Sequence, residues 1–225
     1  MERELNKAFL AHISIPEDTG KIFADYAHQF EELMMIYQCA IQEVNTKLEV
    51  LSQEMSVRYK RNPIETIKYR IKKPKSIAEK LMRNNLPITL DAVSNHLNDV
   101  AGVRVICSFI DDIYSVANML TKQDDINLIA IKDYIKNPKP NGYRSYHMIV
   151  EIPVFFTNRK QYMKVEVQLR TIAMDFWASL EHSMKYKKDI ADAENIMSQL
   201  KDCADSIAAT DLQMQEINDT INGKL

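Results

Sequence analysis

Lys164-Val-Glu166-Val-Gln168-Leu-Arg170 alternates side-chain character at every step. Val165, Val167 and Leu169 fall on one face of a strand, and Glu166, Gln168 and Arg170 on the other. The flanking sequence extends this pattern into a sheet. Ser145–Val154 is a second β-rich run, separated from Met163–Arg170 by the turn material Thr157-Asn-Arg159. Val103-Arg-Val-Ile-Cys-Ser-Phe109 and Ile126–Ile131 read as two further strands with the helical run Ile113–Leu120 between them. Short helices are expected at Ser76–Arg83 and Asp91–Leu97, and longer ones at Ile172–Tyr186 and Ala191–Ile221. Before them, Phe23, Tyr26, Phe30, Leu33, Tyr37, Ile41, Val44, Leu48, Leu51 and Met55 recur at steps of three and four. That stripe predicts one helix over Lys21–Ser56, about 50 Å long at ~1.5 Å per residue, packed on its own domain or shared with another subunit. The fold class is α+β or α/β, a central mixed sheet in one domain with helical extensions.

Composition narrows the function. The chain has 225 residues, 46% of them apolar and 27% charged, as expected for a soluble globular protein with a sizeable core. No apolar run reaches the ~20 residues of a membrane span, and the start lacks a signal peptide. Three scattered cysteines, Cys39, Cys107 and Cys203, give no disulfide framework and point to a reducing, cytoplasmic setting; Cys107 is expected in the core. Only four glycines occur, at 20, 102, 142 and 223, too far apart for any glycine-rich phosphate loop. Any nucleotide phosphates must be held by side chains and helix ends. HExxH, CxxC and GxSxG are all missing from the sequence, which removes the main support for zinc protease, zinc ribbon and serine hydrolase readings.

Charge is unevenly spread. Between Arg58 and Arg83 ten Lys or Arg face two acids, whereas Asp189–Asp219 carries eight acids and Lys201 alone. This predicts an anion site in the first segment and a solvated face in the second. Arg70-Ile-Lys72-Lys73-Pro74-Lys75-Ser76 runs into a helix start, with Ser76-Ile-Ala-Glu79 as a capping box and Lys80 one turn in. Such an N-terminus suits a polyphosphate; a solvated cationic face is the simpler reading of the segment alone. Asp99, ahead of Gly102 and the strand bearing Arg104, is placed to hold Mg²⁺ or merely to cap a turn. Glu166 on the neighbouring strand is a candidate general base or second metal ligand, unless it simply faces water with Gln168 and Arg170. The loop Asn137-Pro-Lys139-Pro-Asn141-Gly142-Tyr143-Arg144-Ser-Tyr146-His147 is a rigid turn, with the Tyr143 ring available for purine stacking or for packing. His182 reads as a packing or capping residue on its helix. The five scattered histidines do not have zinc-ligand spacing.

Together RIKKPKSIAEKL, NDVAGVRVICSF, IKNPKPNGYRSYH and VEVQLRTIAMDFWASLEH resemble, in order and spacing, the synthetase domain of the RelA/SpoT family. The likeness covers about Arg58 to Tyr186. With no hydrolase domain before it and no regulatory domain after it, the chain looks like a stand-alone small alarmone synthetase. NPIETIKYR, KPNGYRS and AMDFWASLEH look closest to the RelP branch. The resemblance implies an α+β fold with a nucleotidyltransferase-like mixed sheet. It also implies residues 1–57 as an N-terminal helical extension, 58–188 as the synthetase domain and 189–225 as an acidic C-terminal helix.

The implied reaction transfers pyrophosphate from ATP to the 3′-hydroxyl of GDP or GTP with Mg²⁺, giving AMP and ppGpp or pppGpp. By the same resemblance Arg70 and Arg104 would flank the adenine, and Lys72, Ser76 and Lys80 would hold the ATP phosphates. Asp99 and Glu166 would share the metal, with Glu166 activating the acceptor hydroxyl. Tyr143 would stack on guanine, with Lys139, His147 and Gln168 nearby. A cytoplasmic homotetramer is implied, built through the terminal helices, with no membrane and no nucleic acid required. Thr66, Lys68 and Asp175 stand where the RelQ branch binds pppGpp in its central cleft, and Asp175 replaces an Asn usual there. The resemblance therefore gives no expectation of positive feedback. Other readings remain: a pyrophosphokinase acting on adenine nucleotides or tRNA, and a non-catalytic nucleotide- or RNA-binding module that uses only the basic segment.

Overall fold

The computed structural model of the chain describes residues 17–58, 61–185 and 193–223. Tyr186, Asp189 and Ala191, and the parts of the segments 1–57, 58–188 and 189–225 that fall on residues 1–16, 59–60, 186–192 and 224–225, lie outside the described residues. Met1–Met35 and Ile36–Leu225 are two compact units. The described part of the first is helical throughout and opens helix α1 (Glu17–Arg58). Everything below concerns the second.

Among the described residues five strands form one mixed sheet in the order β1-β2-β5-β4-β3, so the chain is α+β. They are β1 (Ile64–Ile71), β2 (Ala101–Cys107), β3 (Asn127–Asp133), β4 (Tyr146–Phe155) and β5 (Lys160–Thr171). Only β2 and β5 run parallel; the other neighbours are antiparallel. The helices after α1 are α2 (Pro74–Arg83), α3 (Leu90–His96), α4 (Ile110–Thr121), α5 (Ile172–Lys185) and α6 (Ala193–Ile221).

Alternation along the strands splits the sheet into two chemically unlike faces. Val103, Val105 and Cys107 of β2, Met148, Val150 and Ile152 of β4, and Val165, Val167 and Leu169 of β5 are buried together. Helix α4 lies against β2 and β5, where Ile113, Val116, Ala117 and Leu120 are also buried. From residue 36 the apolar stripe of α1 is buried within its own unit, through Ile36, Tyr37, Ala40, Ile41, Val44, Leu48 and Met55. Burying the Tyr37 ring pushes its hydroxyl pKa up to about 12, partly offset by a hydrogen bond with Ser94. This half of the stripe therefore supports the domain itself.

Sequence reading placed no strand between Arg58 and Ser76, yet β1 forms the sheet edge there. Its pairing with β2 shifts register between Ile64 and Thr66. That bulge interrupts the period-two pattern, and the cations on the remaining residues conceal it. The basic segment is also not one anion site. Arg61 donates two hydrogen bonds of 2.7 Å to Asp112 and covers the Phe109 ring, tying the entry of β1 to α4.

The expectation of a solvated C-terminal face needs a second correction. Helix α6 contacts α5 and α4. Trp177, Ala178 and Ala204 form a buried cluster against which Tyr143, Leu200 and Ile207 pack. Asp211, 6% exposed, accepts from Thr171 at 2.9 Å and pairs with the buried Arg144 at 3.5 Å. An acid count along the sequence does not reveal which acids turn inward.

Candidate active site

Strand register brings the polar residues into rows across the other sheet face. Lys68, Arg104, Gln168, His147 and Lys132 occupy matched positions on β1, β2, β5, β4 and β3. One step along, Arg70 and Glu166 flank Gly102. A glycine there puts no side chain between them and leaves the floor of the site open. A cleft of about 500 Å³ lies over these rows. Its lining includes Arg70, Asp99, Arg104, Tyr143, Glu166 and Gln168, with α5 as the opposite wall.

At one end of the cleft, Asp99 sits in the turn between α3 and β2. Its Oδ2 accepts from Lys72 at 2.5 Å and from Lys80 at 2.7 Å. Burial alone would raise this carboxyl, but the hydrogen bonds and charges of the two lysines outweigh burial and hold it below the ordinary aspartate range. Helix α2, which carries Lys80, begins at Pro74, with Lys73 as the residue before it and no side-chain cap. The expected Ser76 capping box is thus replaced by proline at the first helical position, whose missing N–H costs nothing there. Ser76 lies two residues further in, exposed within the first turn.

The Asp99 Oδ1 atom is buried without a hydrogen-bond partner. Glu166 lies near enough for the Asp99 charge to act on it. Mg²⁺ is commonly held by one or two carboxylates together with water and substrate phosphates, so this pair fits that ion. Among the described residues no group of three or more His, Cys, Asp or Glu is placed to hold a metal.

Glu166 is the second carboxylate lining the cleft. Gln168 Nε2 donates to its Oε2 at 2.8 Å, and His147 Nδ1 lies 3.4 Å from its Oε1. Burial raises the Glu166 carboxyl, but His147 and Gln168 more than offset that and keep it below the usual glutamate range. His147 Nε2 meets the Tyr143 hydroxyl at 2.9 Å, and Arg170 donates to the same hydroxyl at 2.7 Å.

The loop before β4 presents Tyr143 through a tight turn in which Gly142 N–H donates to Lys139 C=O at 2.8 Å. Gly142 has φ +84°, and a Cβ there would come within 2.4 Å of the Ala204 Cβ. Only glycine suits both the left-handed backbone and the approach of α6. The ammonium of Lys139 lies 4.8 Å from the centres of both the Tyr134 and Tyr143 rings. All the residues expected from sequence except Ser76, Lys72, Lys80, Lys139 and His147 line the cleft directly. Lys72 and Lys80 reach it through Asp99, and His147 through Glu166 and Tyr143.

Residues 69–191 match the region found in RelA/SpoT proteins. The GTP pyrophosphokinase YwaC of Bacillus subtilis is 42% identical over 206 residues, covering 92% of this chain and 96% of the relative. The chain belongs to the RelA/SpoT family. Two solved members share its fold. The small alarmone synthetase 2 of Bacillus subtilis has a TM-score of 0.76 at 44% identity, covering 85% of this chain and 98% of that one. The small alarmone synthetase 1 of the same organism, bound to its product pppGpp, has a TM-score of 0.79 at 34% identity, covering 86% and 98%.

Within this RelA/SpoT fold Arg170 and His182 line the cleft, though neither was singled out as a site residue, and Asp175 braces the lining arginines from α5. Arg170 shares the polar face of β5 with Glu166. Asp175, in the first turn of α5, accepts from Arg170 at 3.0 Å and Arg104 at 3.3 Å, and pairs with Lys68 at 3.5 Å. Burial and the Arg170 charge both disfavour the Arg104 cation, and Asp175 offsets part of that. The alternation that flagged Glu166 and Gln168 also carried Arg170. The role of Asp175 appears only once β5 and α5 are joined in space. His182, expected to pack or cap, is exposed on α5 and lines the cleft.

Proposed function

We propose that this chain is a (p)ppGpp synthetase, transferring pyrophosphate from ATP to the 3′-hydroxyl of GDP or GTP. The acceptor oxygen attacks the β-phosphorus and its proton goes to Glu166. The bond from the β-phosphorus to the oxygen of the α-phosphate breaks, and AMP leaves. Two ionised carboxylates, Asp99 and Glu166, which line one cationic cleft near enough for the charge of one to act on the other, carry this reading. Such a transfer requires two anionic nucleotides held in line and the developing charge neutralised.

Arg70, Lys72, Ser76, Lys80 and Arg104 form the donor side, with the arginines at the adenine and the lysines and the α2 N-terminus at the phosphates. Lys139, Tyr143, His147 and Gln168 form the acceptor side, with the Tyr143 ring on guanine. Mg²⁺ would be held by Asp99 and Glu166, where it supplies charge neutralisation at the transferred phosphates. Lys72 and Lys80 leave Asp99 for the phosphates as ATP arrives.

The chain acts in the cytoplasm as a homotetramer of the RelP type. The exposed, evenly spaced Ile172, Phe176, Leu180 and Met184 on α5 support an oligomer. Among the described residues no helix is long and apolar enough to cross a membrane.

The test mixes the protein with ATP, Mg²⁺ and GDP or GTP and separates nucleotides by anion exchange. AMP is expected in step with a guanosine tetra- or pentaphosphate, and Glu166→Gln is expected to lower the rate about 10³-fold. Product with ADP or tRNA as acceptor instead, or no turnover with any acceptor, would refute the reading.

A further inference from the structure

The polar contacts leading from Arg170 to Glu166 all point the same way. A guanidinium only donates, so the Tyr143 oxygen accepts from Arg170 Nη2 at 2.7 Å. The ionised Glu166 only accepts, so the single proton of a neutral His147 belongs on Nδ1, which faces Oε1 at 3.4 Å. His147 Nε2 is then an acceptor, and the Tyr143 O–H donates to it across 2.9 Å. Arg170 is held in turn by Asp175 at 3.0 Å and Ser145 at 3.4 Å. Both nitrogens of His147 are thereby engaged. With Gln168 on Oε2, each oxygen of the Glu166 carboxylate has one protein partner and keeps lone pairs for the acceptor hydroxyl or a metal.

We propose that the Tyr143 hydroxyl is a positioning group for Glu166. Acting through His147, it sets the tautomer and orientation that aim the carboxylate. The ring of the same residue is the surface offered to the acceptor base. Seating the purine on the ring holds the tyrosine oxygen against His147, so that the imidazole turns to close the long 3.4 Å contact with Glu166 and aligns the base with the hydroxyl it deprotonates. Apo catalytic contacts often tighten in this way when substrate binds. This rests on the synthetase reading above, and it separates two functions of one side chain: the ring binds and the hydroxyl aligns.

Steady-state rates at saturating ATP and Mg²⁺, with GTP varied, test it in wild type, Tyr143→Phe, His147→Asn and the double variant. Asn retains a donor near the Nδ1 position and loses the acceptor that meets Tyr143. Tyr143→Phe is expected to leave KM for GTP within about twofold and to lower kcat about fivefold to tenfold, the size of one lost hydrogen bond. In the His147→Asn background the same change is expected to alter kcat less than about twofold, because the link is already cut. An unchanged kcat in Tyr143→Phe, a rise in KM alone, or equal losses in both backgrounds overturns the positioning role.

Tyr143→Ala and Glu166→Gln run alongside. If Tyr143→Ala raises KM for GTP and Glu166→Gln is inactive while Tyr143→Phe is silent, only the link fails. If wild type makes no product from GTP, both readings fail. Thermal melts accompany each variant. Should Tyr143→Phe not fold, Arg170→Gln, which removes the donor that fixes the hydroxyl, takes its place with the same KM and kcat split expected.

Discussion

The two ends of the cleft are built on different principles. At the donor end the central carboxylate, Asp99, is held by the long side chains of Lys72 and Lys80, and β1 is an edge strand with Lys68 and Arg70 exposed. At the acceptor end Glu166 is held from central strands, by a 2.8 Å hydrogen bond from Gln168 and a 3.4 Å contact with His147, and the Tyr143 loop is clamped by a helix that comes within atomic contact of Gly142. Flexible cations can move from a carboxylate to a phosphate without disturbing the backbone, which suits the binding of a triphosphate. A stacking ring and a catalytic base need a fixed spacing, which packing supplies. The donor end is organised by charge and the acceptor end by packing, so perturbations of the two should have different signatures.

Changing Asp99 is the most damaging way to break the donor end. Asp99→Asn removes a proposed metal ligand and the counter-charge of two lysines while preserving shape. A fall in kcat of about 10³-fold is expected, comparable to the loss of a preorganised charged group in other active sites, with little change in the urea unfolding midpoint. A large loss of stability with modest loss of rate would mean that Asp99 is a structural ion-pair partner.

The acceptor end should respond in the opposite manner. Asp211 and Arg144 are 6% and 9% exposed, and removing one member of a buried pair leaves the other charge uncompensated. Asp211→Ala is expected to cost about 3 kcal/mol of stability, read from urea unfolding. The remaining folded enzyme is expected to show a raised KM for GTP and an unchanged KM for ATP. Equal shifts for both nucleotides would dissolve the distinction between the two ends.

What the sequence revealed follows the same division. The sheet was legible because β2, β4 and β5 alternate cleanly, and Glu166 and Gln168 were legible as polar residues on such a strand. Strand β1 was hidden by its bulge at Ile64–Thr66 and by its density of cations. Arg61 looked like part of an anion site because local charge does not reveal a partner 51 residues away in Asp112. The pairing of Asp175 with Arg104 and Arg170, and the burial of Asp211, escaped for the same reason. Each aspartate acquires its role from a contact between elements distant in the chain, and acid counts treat buried and solvated carboxylates alike. The capping box failed because Pro74 competes for the helix start and takes the first helical position.

The smallest expected effect compares two carboxylates in the metal-free protein. Lysine hydrogen bonds and charge hold Asp99 below the ordinary aspartate range despite its burial. Burial holds Asp211 above it, although Thr171 and Arg144 pull the other way. The signs for stability follow from linkage. Asp99 contributes stability that is present above its unfolded pKa and lost as pH falls through its lower folded value. Asp211 contributes stability that is fully present below its unfolded pKa and lost as pH rises through its higher folded value. Carbon-detected NMR titration of the side-chain carboxyls should place the two on opposite sides of an unfolded aspartate. Lys72→Ala should then move Asp99 upward, since one of its two cations is gone, and leave Asp211 where it was. If both carboxyls move together, the charge-organised and packing-organised ends are coupled, and the division between them is wrong.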